Sequence, residues 1–221
     1  MMKKLLGILL FIFGFFNAFY EDKNEFEKWK TAAEQGDKIA QYNMGVMYAN
    51  GQDVTQDYKQ AVYWWQKSAE QGEVEAQFHL GLRYDNGEGV GQNHEQAFYW
   101  YKKAAEQGMA QAEEYLGLRY YIGQGVEQDY KQAVYWRQKS AEQGHVAAQL
   151  NLGLMYADGE GVIENYVKAY MWFCISAYSG TPREASEEID KLSKRMTPQQ
   201  IAEAQKMAKE WIEKFDKRKK E

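Results

Sequence analysis

Cysteine is almost absent from this chain of 221 residues, which contains one Cys. A single cysteine, Cys174, excludes an intramolecular disulfide, so stability must come from packing. Cys174 follows Trp172 and Phe173 in a helical pattern. We therefore expect it to be a small buried hydrophobic residue rather than a nucleophile.

The chain also lacks any run of about 20 apolar residues, the length that spans a bilayer. Its longest apolar run, 5–16, follows two lysines and ends near Ala18. This arrangement has the anatomy of a secretory signal peptide over residues 1–18, and it predicts a periplasmic or secreted protein with no membrane span after cleavage. An uncleaved membrane anchor is the alternative, because Phe16 is unfavourable three residues before a cut after Ala18.

An excess of positive charge is missing as well. The formal net charge is −5, from 27 Lys and Arg residues against 32 Asp and Glu residues. Loss of the two lysines in the signal peptide would take it to −7, since −5 − 2 = −7. An acidic surface is a poor partner for nucleic acid. The basic run 214–220 is interpreted as a solvated tail.

Motifs for catalysis and metal binding are absent too. None of the three histidines, His79, His94 and His145, is spaced from a Cys or Asp as a metal ligand would be. The segments 85–89 and 158–161 lack the spacing and closing glutamate of a calcium loop, and we interpret them as turns. No nucleophile elbow, phosphate loop or dinucleotide fingerprint occurs. The sequence predicts no metal, no cofactor and no enzymatic activity.

What the chain does have is a regular repeat. A glycine recurs every 36 residues, at Gly36, Gly72, Gly108, Gly144 and Gly180. A period between 20 and 50 residues is typical of stacked supersecondary units. We predict an N-terminal capping helix within 19–36, four repeats, and C-terminal capping helices with a basic tail at 181–221. The four repeats are 37–72, 73–108, 109–144 and 145–180.

Each repeat has the pattern of a helical hairpin, with two stretches of helical apolar spacing around a glycine-rich turn. A glycine stands where the first helix must end, at Gly51, Gly87, Gly123 and Gly159. An Asp or Asn then precedes the second helix as its N-cap, at Asp57, Asn93, Asp129 and Asn165. Recurring aromatic residues are expected to form the core: Tyr48, Tyr84, Tyr120, Tyr156, Trp64, Trp100, Trp136 and Trp172.

Small residues also recur inside both helices. Glycine in a helix interior costs about 1 kcal/mol relative to alanine, so its recurrence at Gly45, Gly81, Gly117 and Gly153 needs an offsetting gain. An alanine recurs on the second helix, at Ala61, Ala97, Ala133 and Ala169. We predict that these small residues let the two helix axes approach closely.

The recurring motif resembles the Sel1-like repeat, a relative of the tetratricopeptide repeat. In the second repeat it comprises Ala76-Gln77, Leu80-Gly81, Tyr84, Gly87-Glu88-Gly89-Val90, Ala97, Trp100 and Ala105-Glu106-Gln107-Gly108. The resemblance implies an all-α fold: an α-solenoid of stacked helix-turn-helix repeats with a concave face that binds protein. Asp53 departs from the motif by replacing the second turn glycine in the first repeat, and Glu113 does so by replacing the usual Gln in the third.

The two ends have the pattern of capping helices. Residues 26–35 resemble a lone second helix that covers the first repeat. Near the other end, Thr197-Pro198-Gln199-Gln200 has the residues of an N-cap and a capping box. The helix that follows carries one apolar face, which we expect to seal the last repeat, with membrane or partner binding as the alternative. That face consists of Ile201, Ala204, Ala208, Trp211, Ile212 and Phe215.

Two repeats can be compared directly within the chain. Residues 56–72 and 128–144 match at 16 of 17 positions, and the one difference is Trp65 against Arg137. The first helices of the same repeats, 37–50 and 109–122, match at only 3 of 14 positions. This contrast suggests that the second helix holds the stack while the first helix is free to face a ligand.

By the resemblance, the first helices line the binding face. The candidate protein- or peptide-binding residues surround the repeated glycine or lie near the end of the first helix, where aromatic, amide and carboxylate groups suit an extended peptide or a helix. They are Tyr42, Asn43, Asn50, Phe78, His79, Asp85, Glu114, Tyr115, Tyr121, Asn151 and Asp158.

The main hypothesis is an exported, non-enzymatic scaffold that binds a protein or peptide on its concave face. One alternative is a β-lactamase-like or cell-wall-acting enzyme, because a cysteine-rich exported branch of the family is associated with such activity. This chain lacks the paired cysteines of that branch, and likeness of fold is a weak argument for chemistry. The other alternative is a secreted factor that interacts with a host.

Overall fold

The computed structural model of the chain describes residues 25–220, which form eleven helices and no strand. The chain divides into two compact units, the first ending at Asn93 and the second beginning at His94. The predicted signal peptide, 1–18, and the first part of the predicted capping segment, 19–24, lie outside the described residues.

The first unit is built from a capping helix and the helices that follow it. Its core contains Ala33, Ala40, Met44, Met47 and Trp64, and Phe26 and Trp29 of the capping helix pack against that core. The third helix packs against both the second and the fourth. The helices are 25–34 (α1), Lys38–Asn50 (α2), Tyr58–Glu70 (α3) and Val74–Asn86 (α4).

The second unit continues the alternation of first and second helices and ends in two further helices. Its helices are His94–Glu106 (α5), Ala110–Ile122 (α6), Tyr130–Glu142 (α7), Val146–Asp158 (α8), Tyr166–Ser179 (α9), Pro182–Ser193 (α10) and Pro198–Arg218 (α11). Helix α9 packs against α8, α10 and α11. The rings of Trp172 on α9 and Trp211 on α11 meet edge to face at 5.7 Å. The apolar face of α11 therefore packs on the last hairpin, as the sequence predicts.

The helix ends follow the predicted capping rules. Each first helix ends at a glycine with left-handed backbone, at Gly51, Gly87, Gly123 and Gly159. The Asp57 side chain accepts hydrogen bonds from the backbone N–H groups of Lys59 and Gln60. Thr197 and Gln200 form the predicted capping box at the start of α11. Local sequence therefore determines where most of these helices begin and end.

The glycine inside the first helix makes room for one large side chain of the second helix at Gly45, Gly117 and Gly153. A Cβ atom at Gly45 would lie 2.4 Å from the ring of Trp65. A Cβ atom at Gly117 would lie 2.9 Å from Cγ of Arg137 and 3.2 Å from the carbonyl oxygen of Ala133. The sequence predicts close approach of small residues. The structure refines that expectation, because each of these two glycines also accommodates the side chain that distinguishes the two near-identical second helices.

The predicted tryptophan core is confirmed, since Trp64, Trp100, Trp136 and Trp172 are all buried. The tyrosines predicted beside them divide into two groups. Tyr156 is buried, whereas Tyr48, Tyr84 and Tyr120 are half-buried. Within residues 25–220, no helix combines the length and the apolar character that crossing a bilayer requires.

Candidate functional site

An aromatic cluster joins α2, α3 and α4 of the first unit. The His79 ring stacks on Trp65 with 4.8 Å between centroids and an interplanar angle of 10°. Nε2 of His79 lies 3.5 Å from the hydroxyl oxygen of Tyr42. Burial, followed by the nearby positive charge of Arg83, lowers the pKa of His79. Two first helices are therefore joined through side chains that lie 37 residues apart in the chain.

Arg83 completes this cluster and also neutralises the turn that follows α4. Its guanidinium lies 5.6 Å from the Trp65 ring centroid, within the range of a cation–π contact. It also forms an ion pair with Glu88 of the turn. In the first unit, the acidic residue of the turn therefore has a cationic partner on the preceding helix.

The same positions of the second unit, 72 residues later in the chain, hold a polar network instead. Asn151 of α8 donates a hydrogen bond of 2.8 Å from Nδ2 to Oε1 of Glu114 on α6. Nε of Arg137 on α7 lies 3.4 Å from the same oxygen, and both charged side chains are more than nine-tenths buried. Burial raises the pKa of Glu114, and the charge of Arg137 opposes that shift.

The network continues from Arg137 to the turn after α8. The Arg137 guanidinium lies 4.9 Å from the Tyr121 ring centroid. The Tyr121 hydroxyl hydrogen-bonds to Glu160, and this bond is the main cause of the raised pKa of Tyr121. Met155 stands where the first unit has Arg83, and its sulfur lies 3.5 Å from a terminal nitrogen of Arg137. Glu160 is thus held by a tyrosine rather than paired with an arginine.

These groups surround a cavity of about 330 Å³. Its walls are both apolar and polar: Leu118, Tyr121, Ile122, Arg137, Asn151, Leu154, Met155, Asp158 and Glu160. We call this space the α6–α8 cavity. A second cavity of about 220 Å³ lies between α8, α9 and α10. Leu154 and Asp158 line both cavities, so the two spaces adjoin along α8.

The structure brings together some of the candidate residues and separates others. Tyr42, Phe78 and His79 meet in the first unit, whereas Asn50 is exposed at the end of α2 and Asn43 and Asp85 are half-buried elsewhere. In the second unit, Glu114 and Asn151 are joined by a hydrogen bond. The Tyr115 ring packs 5.1 Å from that of Tyr101. Three of the eleven candidates line the α6–α8 cavity: Tyr121, Asn151 and Asp158.

Sequence reasoning missed Arg137 and Glu160 as residues of the site. The signal for Arg137 was visible, since it is the one difference between two otherwise identical second helices. The near-identity of the two helices instead favours a scaffold role for the whole helix, Arg137 included. A signal for Glu160 was also present in the sequence. Arg83 stands five residues before Glu88 in the first unit, whereas Met155 stands five residues before Glu160 in the second, so the basic partner is lost.

Metal ligands and a reactive thiol are two chemical features that catalysis can use. Among residues 25–220, no group of three or more His, Cys, Asp or Glu side chains is placed to hold a metal ion. The thiol of Cys174 is partly buried, and burial raises its pKa to about 11. At neutral pH it is therefore a poor nucleophile, because the thiolate is the reactive form.

Comparison with known families identifies the repeat. The Sel1 repeat matches four consecutive segments, residues 38–73, 74–109, 110–145 and 146–181. The chain therefore belongs to the Sel1 repeat family, and its fold is the all-α solenoid of that family, as the motifs predict. Sel1 repeat proteins are generally non-enzymatic scaffolds for protein interaction. No curated protein is similar enough to the chain to be counted as a relative.

Solved structures support the same fold. A Sel1 repeat protein from Oxalobacter formigenes is 37% identical and has a TM-score of 0.67, over 70% of this chain and 63% of that one. The structure of c5321, a protective antigen of uropathogenic Escherichia coli strains with an SLR fold, is 33% identical and has a TM-score of 0.54. The match covers 85% of this chain and 48% of that one. The chain thus spans less than two thirds of the length of either structure.

Proposed function

We propose that this chain is an exported Sel1 scaffold that binds a segment of a protein or peptide partner, without catalysing a reaction. The observation that carries the proposal is the α6–α8 cavity. Apolar side chains line its walls beside a buried ion pair and partly exposed carboxylates, the mixture that suits a protein or peptide segment. The adjoining cavity along α8 extends the surface available to such a segment.

The proposal that the protein is exported rests on the N-terminal sequence. The basic start and apolar run within residues 1–18 have the order of a secretory signal. One similar protein is a protective antigen of uropathogenic E. coli strains, which agrees with a role at or beyond the cell surface. Fractionation, with determination of the N-terminal residue of the mature protein, tests this part. Recovery of an uncut protein in the cytoplasm would contradict it.

Site-specific photocrosslinking tests where a partner binds. A photoreactive amino acid at Ile122, which is 46% exposed and lines the cavity, should give a discrete adduct with a protein or peptide in the native compartment. The matched control is Tyr99, which is also 46% exposed but lies on a second helix away from the cavity. The same adduct from both positions, or an adduct from Tyr99 alone, would contradict the proposed face.

The absence of catalysis needs its own test. Purified protein should not turn over a chromogenic β-lactam, because Cys174 is a poor nucleophile at neutral pH and no known catalytic motif occurs in the sequence. Turnover that tracks the folded protein through purification, and that a single carboxylate or hydroxyl substitution abolishes, would favour the enzyme alternative instead.

A further inference from the structure

We propose that the α6–α8 cavity receives a lysine or arginine side chain of the partner, with the basic group between Asp158 and Glu160. This inference rests on the proposed function, and it adds the chemistry of the partner. Asp158 is exposed and Glu160 half-buried, and both line the cavity. Leu118, Ile122 and Leu154 supply apolar walls against which the methylene stem of a basic side chain can pack.

Charge complementarity selects the occupant. Four charged side chains belong to this site, namely Glu114, Arg137, Asp158 and Glu160. Glu114 and Arg137 form a buried ion pair and neutralise each other. Asp158 and Glu160 remain as carboxylates that no basic side chain lining the α6–α8 cavity neutralises. On its other side Asp158 lines the adjoining cavity with Arg195 and with Lys191, which pairs with Glu188, so Glu160 is the less compensated of the two. Because an acidic guest would be repelled by both carboxylates, the cavity favours a cationic guest.

In the first unit, the carboxylate at the equivalent turn position already has a basic partner. There, Glu88 occupies the position of Glu160, and Arg83 of α4 pairs with it. At the position of Asp158 the first unit has Asn86, which is neutral. Asn86, Glu88 and Arg83 together therefore carry no net charge in the first unit.

In the second unit the arginine of this pair is replaced by Met155, which is 1% exposed and lines the cavity. The cation instead lies on α7 as Arg137, where Glu114 neutralises it. Glu160 keeps a hydrogen bond from Tyr121, and that bond fixes the carboxylate without neutralising its charge. The positive charge that Arg83 brings to the turn in the first unit therefore has no counterpart on α8, and a basic group of the partner would supply it.

The network behind the cavity positions the acidic groups. Asn151 holds Glu114, Glu114 pairs with Arg137, and Arg137 lies against the ring of Tyr121. Tyr121 in turn holds Glu160. A carboxylate held in place loses less conformational entropy on binding than a free one. Arg137 is therefore a positioning residue, and Asp158 and Glu160 are the groups that contact the guest.

The test uses the full chain labelled with ¹³C at the methionine methyl groups, because Met155 lies in the cavity wall and reports its occupancy by NMR. The probes are short peptides, Ac-Leu-Xaa-Leu-NH₂, in which Xaa is Lys, Arg, Gln or Glu. The Lys and Arg peptides should shift the Met155 signal saturably, while the Gln and Glu peptides bind at least about tenfold more weakly. Equal shifts from the Gln and Lys peptides, or no shift from the Lys peptide at millimolar concentration, would overturn the inference.

Two variants locate the effect. Asp158→Asn with Glu160→Gln should weaken binding of the Lys peptide at least about tenfold, since two charge-assisted contacts are lost. Glu88→Gln is the matched control, because it removes the equivalent carboxylate of the first unit, and it should leave binding unchanged. An unaltered affinity in the double variant, or the same loss in the control, would contradict the site. Circular dichroism of each variant verifies that the fold is kept.

The outcomes separate this inference from the function on which it rests. If the crosslinker at Ile122 captures a partner equally well with and without the two carboxylates, the proposed scaffold function is supported. The inference that the cavity receives a basic side chain is then wrong. If the Lys peptide binds as expected but no partner is captured at Ile122, the cavity has the proposed chemistry and the scaffold function fails.

Discussion

Glu113 is the residue whose replacement we expect to stabilise the protein. Three repeats carry a glutamine at this position, and its Nε2 donates a hydrogen bond to the carbonyl oxygen eight residues earlier. These bonds are Gln41 to Ala33 at 3.0 Å, Gln77 to Ala69 at 3.2 Å and Gln149 to Ala141 at 3.2 Å. The third repeat has Glu113, which is 0% exposed. An ionised carboxylate cannot donate the equivalent bond.

The neighbours of Glu113 compensate only in part. Gln143 donates a 2.7 Å hydrogen bond to Oε2, and Nζ of Lys139 lies 3.3 Å from Oε1. Oε1 is buried, and the half-exposed Lys139 is its ion-pair partner. Burial raises the pKa of Glu113, although Lys139 opposes the shift. The folded protein therefore carries a costly buried carboxylate at this position.

Glu113→Gln should increase the free energy of unfolding by about 1 kcal/mol at neutral pH. The gain comprises one neutral hydrogen bond of about 1 kcal/mol and relief of the desolvation cost of the buried carboxylate, about 1–3 kcal/mol. The loss is the ion pair with Lys139, which is 38% exposed; a partly exposed pair contributes about 1 kcal/mol or less. Side-chain repacking in the variant is expected to consume part of the difference. For a chain of this size, 1 kcal/mol corresponds to about 2–4 °C in Tm.

The effect should depend on pH in a definite direction. The pKa of Glu113 is raised in the folded state, so folding favours its protonated form, which can donate a hydrogen bond as glutamine does. The stability of the wild type relative to the variant is greatest below the ordinary pKa of 4.5, and it falls as the pH rises through the raised pKa. The advantage of the variant therefore grows over that interval and stays constant at higher pH.

Urea unfolding followed by circular dichroism, at several pH values, measures both effects. Gln41→Glu is the reciprocal change, because Lys67 occupies the position of Lys139 in the first repeat. It should destabilise the first unit by a similar amount. A lower midpoint for Glu113→Gln at neutral pH would show that the ion pair with Lys139 outweighs the buried carboxylate, and it would refute this reasoning.

Three further substitutions or treatments test the packing. Gly45→Ala should cost about 1–3 kcal/mol, because the new Cβ would lie 2.4 Å from the rigid Trp65 ring; Gly117→Ala should cost less, because it meets the flexible stem of Arg137, and urea midpoints compare them. Arg137→Met should cost about 3–5 kcal/mol by leaving Glu114 buried and unpaired, and adding Glu114→Gln should recover most of that loss in the same assay. Cys174 should react with iodoacetamide at neutral pH about a hundredfold more slowly than an unperturbed thiol, because its pKa is about 11; mass spectrometry follows the reaction.

The helices and their ends could be predicted because local rules determine them. The capping bonds of Asp57 and Asp129 join groups that lie within three residues of each other, and the left-handed glycines follow from the same short-range geometry. The tryptophan core could be predicted because its period coincides with that of the repeat. At these positions, the local residue type and the repeat period are sufficient to predict the structure.

The side-chain network could not be predicted in the same way. The contacts of Tyr42 with His79 and of Glu114 with Asn151 join residues 37 positions apart on successive first helices. The choice of these residues as candidates rested on their place beside the repeated glycine. Beside that glycine two first helices meet, and the side chain of the second helix, Trp65 or Arg137, packs between them. A single sequence shows which residue types lie at such a junction. It does not show which of their side chains form hydrogen bonds or ion pairs with each other.

The two junctions suggest how a repeat protein can acquire a binding site without a new fold. The first unit combines Tyr42, Trp65 and His79 with an arginine that neutralises the following turn. In the second unit the arginine lies on the second helix and is neutralised by Glu114, so the carboxylate of the turn loses its partner. The backbone hairpin is the same in both cases, with thirteen residues in each helix. Two replacements, Arg83 by Met155 and Asn86 by Asp158, together with a cation that Glu114 holds on the neighbouring helix, distinguish the acidic cavity from the ion pair of the first unit.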